Sequence, residues 1–155
     1  SPFGVCLIKE GGEVGEAAQP HDLGAMASIV DWDMSQPGLL FITTRGGPRF
    51  RIIERKIQSD RLQTARVSWL DEPPPQPVPE HLAGAVPLLR AIVADAGPEA
   101  FAQPHRFDDA TWVGYRLAEI LPIPTEARLR LLELDDTISR LEIIHAFLKQ
   151  HQLID

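Results

Sequence analysis

The sequence predicts an α+β protein, an antiparallel β-sheet or small barrel followed by a small bundle of helices. Three observations predict it. Up to position 72, short apolar runs rich in β-branched and aromatic residues alternate with turn residues. The run PPPQPVP then fills 73–79. Beyond it the apolar period lengthens to that of an α-helix. The expected organisation is a β-domain over 1–72, a proline-rich linker over 73–79 and a helical bundle over 80–155.

The elements follow in order. The first apolar run covers 3–8 and is broken by Gly11, Gly12 and Gly15. The second covers 26–32 and is closed by SQPG. The third covers 39–44 and meets Gly46, Gly47 and Pro48. Adjacent glycines permit positive φ and proline fixes the exit, so this stretch is expected to turn the chain into a fourth run over 50–57. The fifth, 62–70, alternates most cleanly. Ala65, Val67 and Trp69 point one way, and Thr64, Arg66 and Ser68 the other. The prolines of 73–79 fix φ and remove donors, which excludes a helix or an inner strand. They read as a stiff spacer rather than as a PxxP ligand built on Pro74 and Pro77.

Leu82, Ala85, Val86, Leu89 and Val93 form the first helical stripe. Pro87 either kinks that helix or marks its start, and Gly97-Pro98 stops it. Asp108 is expected to cap a second helix running to about Leu121. Its apolar face is Ala110, Val113, Gly114, Leu117 and Leu121. After Pro122 and Pro124, Thr125 is expected to cap a short helix with Glu126 in its first turn. Asp135 or Asp136 caps the last helix, striped by Ile138, Leu141, Ile144 and Leu148.

Composition narrows the function. The 155 residues carry a net charge of −7, which repels nucleic acid and anionic membranes before any specific contact forms. One cysteine, Cys6, excludes an internal disulfide. Within FGVCLI it reads as a small buried hydrophobe. A lone thiol suits a reducing compartment. No apolar stretch approaches the ~20 residues that span a bilayer, and no signal peptide is evident. A cytoplasmic protein without membrane contact is expected.

The sequence shows no catalytic constellation. TTRGGPRF lacks the lysine and hydroxyl of a phosphate-binding loop, and GGEVG lacks the GxGxxG spacing. His21, His81, His105, His145 and His151 are too scattered for zinc ligands. No GxSxG elbow is present. Asp108-Asp109 and Asp135-Asp136 stand at helix starts and read as caps. No catalytic residue, metal or cofactor is therefore expected. Charge is nonetheless segregated. Positions 45–66 hold seven bases (Arg45, Arg49, Arg51, Arg55, Lys56, Arg61 and Arg66) against Glu54 and Asp60, whereas 10–33 holds six acids and no base. Either these pair across neighbouring strands, or a basic face awaits an acidic partner. Arg49 and Arg51 share a strand face if Phe50 points inward. With Arg45 and Trp32 they are the candidate partner-contacting residues.

The runs FGVCLIKEGGEVG, DLGAMASIVDW, GLLFITTRGGPRFRI and ARVSWLDEP, in that order, resemble the Lon amino-terminal domain family. WVGYRLAEILPIP followed by LLELDDTISRL resembles its helical part. The resemblance implies a PUA-like β pseudo-barrel followed by a small α-helical bundle. It implies a substrate-recognition role without catalysis, with a polypeptide or a partner protein as ligand. Because PUA-like barrels include RNA binders, RNA held by 45–66 is the alternative. The ATPase and Ser-Lys protease modules of full Lon have no counterpart in these residues, so neither activity is carried over. Family members also begin with a strand and a helix ahead of the FGVCLI-like strand. A longer chain is therefore expected, and without that strand the barrel would expose an edge.

Overall fold

The computed structural model describes residues 1–12 and 14–155; Glu13, one of the acids of 10–33, lies outside the described residues. Four strands form one antiparallel sheet in sequence order: β1 (Pro2–Glu10), β2 (Gln19–Gln36), β3 (Leu39–Ile57) and β4 (Gln63–Trp69). They belong to one unit, Ser1–Glu72; a second unit, Pro73–Asp155, holds the helices.

The third and fourth apolar runs prove to be one strand. Gly46, Gly47 and Pro48 do not turn the chain, because β3 passes straight through them. Neither glycine takes positive φ. Where β2 advances from Ala25 to Ala27, β3 goes from Arg49 to Gly46, so the strand carries an extra residue there. A bulge leaves one residue outside the ladder, which is where a proline without an N–H fits. A Cβ on Gly47 would lie 3.4 Å from the Met26 Cβ, so glycine keeps the bulge close to its partner strand. The chain reverses where SQPG is expected to close the second run, at Pro37-Gly38, with Gly38 at φ of +82°. Proline followed by a positive-φ glycine is the pattern of a type II turn.

The expected barrel is a curled, open sheet. Among the described residues β1 pairs with β2 and β4 with β3, and the two outer strands are not joined. Both nevertheless line one concavity of about 700 Å³. Its floor is Phe50, only 4% exposed. The ring lies where Gly4 and Gly24 have no side chains. A Cβ on Gly24 would come within 2.5 Å of both the ring and the Cys6 Sγ, and within 2.7 Å of the Val5 carbonyl.

The helices are α1 (Ala85–Ala96), α2 (Ala110–Ile120), α3 (Thr125–Glu133) and α4 (Thr137–Gln150). Pro87 falls in the first turn of α1, where no intrahelical donor is needed, so the helix begins there rather than kinking. Leu89, Val113, Leu117, Leu141, Ile144 and Leu148 are fully buried and form the centre of the core. Two expected caps are corrected. Asp109 rather than Asp108 caps α2, because its carboxylate accepts from Thr111 N at 2.9 Å. Thr125 is the first helical residue after Pro124 and makes no cap bond. Asp136 caps α4, accepting from Ser139 N at 2.8 Å. The bonds from Ser139 hold its carboxyl below the ordinary aspartate range.

The proline-rich stretch packs into the helical unit. The Asp109 carboxylate also accepts from Gln76 N at 3.1 Å. Ala110 N donates to the Gln76 carbonyl at 2.7 Å. The Thr111 hydroxyl donates to the Pro74 carbonyl at 2.8 Å and lies 2.9 Å from the Thr137 hydroxyl. Arg140 is fully buried. Its guanidinium donates to the carbonyls of Leu131 and Leu134 at the end of α3, and lies 4.1 Å from the Tyr115 ring centre. It thereby satisfies carbonyls that the end of α3 leaves without helical partners.

Two outcomes are expected. Gly24→Ala destabilises the sheet unit by about 1–3 kcal/mol, as over-packing does, read as a lowered urea midpoint with β-sheet circular dichroism retained before the transition. Asp109→Ala removes a cap and the tie to Gln76 together, and lowers the stability of the helical unit by about 1–2 kcal/mol. Asp108→Ala leaves it within about 0.5 kcal/mol.

Candidate functional site

The concavity of the sheet is built from alternating residues. β4 contributes Gln63, Ala65, Val67 and Trp69, the inward set that its period of two predicts. β1 adds Phe3, Cys6 and Ile8, and β3 adds Phe50, Ile52 and Arg55. The surface is apolar along most of its length. At one end Phe50 and Trp69 meet edge to face, with ring centres 6.3 Å apart. Burial, with the Asp22 carboxylate as a second cause, pushes the Cys6 thiol up, so it stays protonated and unreactive at neutral pH.

The opposite end is polar and basic. Arg55 Nη1 donates to the Ala18 carbonyl and to Gln63 Oε1, both at 3.0 Å. Gln63 Nε2 donates to the same carbonyl at 3.1 Å. Arg61 Nη1 reaches the Gly15 carbonyl at 3.3 Å. Arg61 stands in the β3–β4 turn with φ of +69°. Two bases thus stand at this end, and Glu16 is the one carboxylate among the described lining residues.

A second exposed surface lies along the far part of β2 and β3. β1 pairs with β2 no further than Ser28, and β4 with β3 no further than Phe50. Beyond those points β2 and β3 pair as a two-stranded ribbon ending at Gly38. Trp32 faces Ile42, and Asp33 faces Phe41. With a period of two, Trp32, Met34, Leu40 and Ile42 share one face, and Asp31, Asp33 and Phe41 share the other. All five apolar side chains are exposed, Trp32 by 65%.

The four residues singled out from sequence are not gathered into one cluster. Trp32 lies out on the ribbon. Arg45 is exposed nearer its base, opposite Ser28. Arg51 is exposed and stands between Leu23 and Ser68 on the neighbouring strands. Arg49 is corrected as a surface residue. It is only 3% exposed, and its Nη2 donates to the Asp71 carbonyl at 2.8 Å. Leu70 N in turn donates to the Arg49 carbonyl at 3.0 Å. This arginine therefore fixes the exit of β4 from the sheet. Arg66 forms its ion pair with Glu54, at 3.4 Å, inside the basic segment. The basic end of the concavity went unpredicted from sequence, because Arg55, Arg61 and Gln63 reach carbonyls at least 37 residues away.

Among the described residues no three His, Cys, Asp or Glu side chains come together as metal ligands. No helix among them is long and apolar enough to cross a membrane.

Comparison with known proteins places this geometry. The family model of the substrate-binding domain of the ATP-dependent protease La (Lon) matches residues 1–150. The chain belongs to that family. A solved Lon N-terminal domain protein from Xanthomonas campestris is 32% identical and superposes with a TM-score of 0.74, covering 94% of this chain and 75% of its own. The N-terminal domain of the Mycobacterium avium complex Lon protease is 15% identical, with a TM-score of 0.58 over 97% of this chain and 91% of its own, and shares the fold. No curated protein sequence matches. The Lon substrate-binding domain is a non-catalytic part of its protease, in keeping with a site made of apolar surface and strand edges.

Arg49 and Arg51 separate by experiment. Arg49→Ala leaves the Asp71 carbonyl without its donor and destabilises this Lon domain by about 1–3 kcal/mol. Arg51→Ala stays within about 0.5 kcal/mol. Denaturant midpoints of the two variants check this.

Proposed function

We propose that this Lon domain is a recognition module for polypeptide, either unfolded segments or a partner protein, and that it performs no chemistry itself. One observation carries the reading. The sheet unit exposes an apolar concavity flanked by two strand edges that pair with nothing among the described residues. Exposed edges offer backbone donors and acceptors that bind without regard to side-chain identity. That suits a module that meets many sequences. The apolar face of the ribbon around Trp32 adds a second contact surface, and Arg45 and Arg51 lie exposed on the same long strand. We place the protein in the cytoplasm, as its single unpaired thiol suits.

The rival reading, RNA held by 45–66, finds little support in this geometry. Arg49, Arg55, Arg61 and Arg66 are all engaged with groups of their own unit.

Immobilised protein should retain a reduced and alkylated, unfolded polypeptide and release its native form. Retention should change little between about 50 and about 500 mM salt, since apolar and backbone contacts are only weakly screened. Equal retention of folded and unfolded forms, or of neither, would sink the reading. RNA retention that collapses over the same salt range, and is lost in Arg45→Ala/Arg51→Ala, would put the rival in its place.

A further inference from the structure

We infer that His81 and His145 form a pH-sensitive clasp, which holds the Glu80–Leu82 turn and the residues after α4 in place while both rings are neutral and loosens them once the rings are charged. The inference stands apart from the polypeptide reading and concerns the helical unit alone.

Three stretches of chain meet at this point. The proline run leads into a short 3₁₀ turn, Glu80–Leu82, which packs on α4. Leu82 is buried in the core, and His81 stands exposed beside it with its Nε2 3.7 Å from Glu142 Oε1. His145 is half-buried on α4. A Cβ on Gly84 would lie 4.0 Å from His145 Nε2 and 4.0 Å from Ile154 Cδ1, so this glycine adjoins both the ring and the stretch that follows α4. Ile154 packs against the core, and Leu153 N donates to the Leu148 carbonyl at 2.9 Å. The His145 imidazole thus stands where the first turn of the unit and its last residues come together.

The surrounding charges favour a neutral ring. The charged and titratable groups around His145 are His81 on the turn and Glu142 and Lys149 on its own helix, and Glu142 is engaged with His81. Burial, then Lys149, then His81 hold the His145 imidazole below the ordinary histidine range. A histidine that the fold prefers neutral carries no penalty above its unfolded pKa, about 6.5, and costs stability as pH falls below it. Once protonated, His145 sets a partly desolvated charge near two others of the same sign. The short turn and the residues after α4 give way first, because each is held by a few backbone bonds whereas α4 is bonded along its length.

The test is hydrogen exchange of the whole chain, read by mass spectrometry as protection factors so that the intrinsic pH dependence of exchange is removed. Between about pH 7.5 and about pH 5.5, the span in which imidazoles take up their charge, protection of 80–86 and of 151–155 should fall about threefold or more while that of α2 holds. His145→Gln keeps a polar side chain that does not titrate and should remove the fall. Lys149→Gln should shrink it. In nuclear magnetic resonance of the unaltered protein the His145 ring should titrate below the ordinary histidine range, and it should move up in His81→Gln. Level protection across the pH span, an equal fall in α2, a fall that persists in His145→Gln, or a His145 ring that titrates within or above the ordinary range overturns the inference. The exchange profile and the ring titration are measured on the unaltered protein, so both stand even where a variant folds poorly.

Discussion

The sheet unit depends on where the Phe50 ring lies. Among the described residues, Leu23, Ala27 and Phe50 are the buried apolar residues of the sheet unit, against fifteen in the helical unit. A sheet with so little beneath it is held by its ladder and by this ring. The ring needs the space above Gly4 and Gly24, and the Gly24 position admits no Cβ. The ring and these two glycines lie at the floor of a trough with Trp69 at one end and Arg55 at the other. The proposed binding mode follows from that shape. A flat sheet of the same sequence would offer two edges far apart and no shared surface between them.

The helical unit solves the opposite problem. Its apolar stripes bury readily, and its polar groups need attention. Asp109 serves two chain segments with one carboxylate, closing the start of α2 and anchoring the proline stretch. Arg140 lies fully inside and spends its donors on the end of α3. A buried guanidinium is tolerable only when its donors find acceptors and its face finds a ring, and α3 and Tyr115 supply both. Such groups contribute more to one defined arrangement of helices than to net stability.

What could be read from the residues divides along physical lines. Alternation in β4 and the 3.6-residue stripes of α1, α2 and α4 were legible because each is a local pattern imposed by a single buried face. Asp136 was legible as one of two adjacent choices. Asp109 was misplaced by one residue, because Asp108 and Asp109 are chemically equal and only the Gln76 amide decides between them. Gly46-Gly47-Pro48 was misread, since glycine and proline permit a bulge as well as a turn; the pairing with Ala25 and Ala27 on another strand makes the choice. Arg49 and Arg140 resemble surface arginines in any local window. Their burial is set by carbonyls of Asp71, Leu131 and Leu134, which no periodicity marks. The basic end of the trough was hidden for the same reason.

The extra residue in β3 has a wider consequence. It lies at the root of the ribbon, between the stretch that faces Phe50 into the trough and the stretch that faces Ile42 and Leu40 outward with Trp32. Side chains alternate strictly along a strand, so one residue more or less exchanges its two faces. The Gly-Gly-Pro step sets β3 one residue out of phase with β2, and the extra residue that β2 carries between Ile29 and Asp31 restores the phase before Trp32 meets Ile42. Shortening β3 there by a residue would leave the extra residue of β2 uncompensated, and the two irregularities that now cancel would put the ribbon one residue out of step from Trp32 onward.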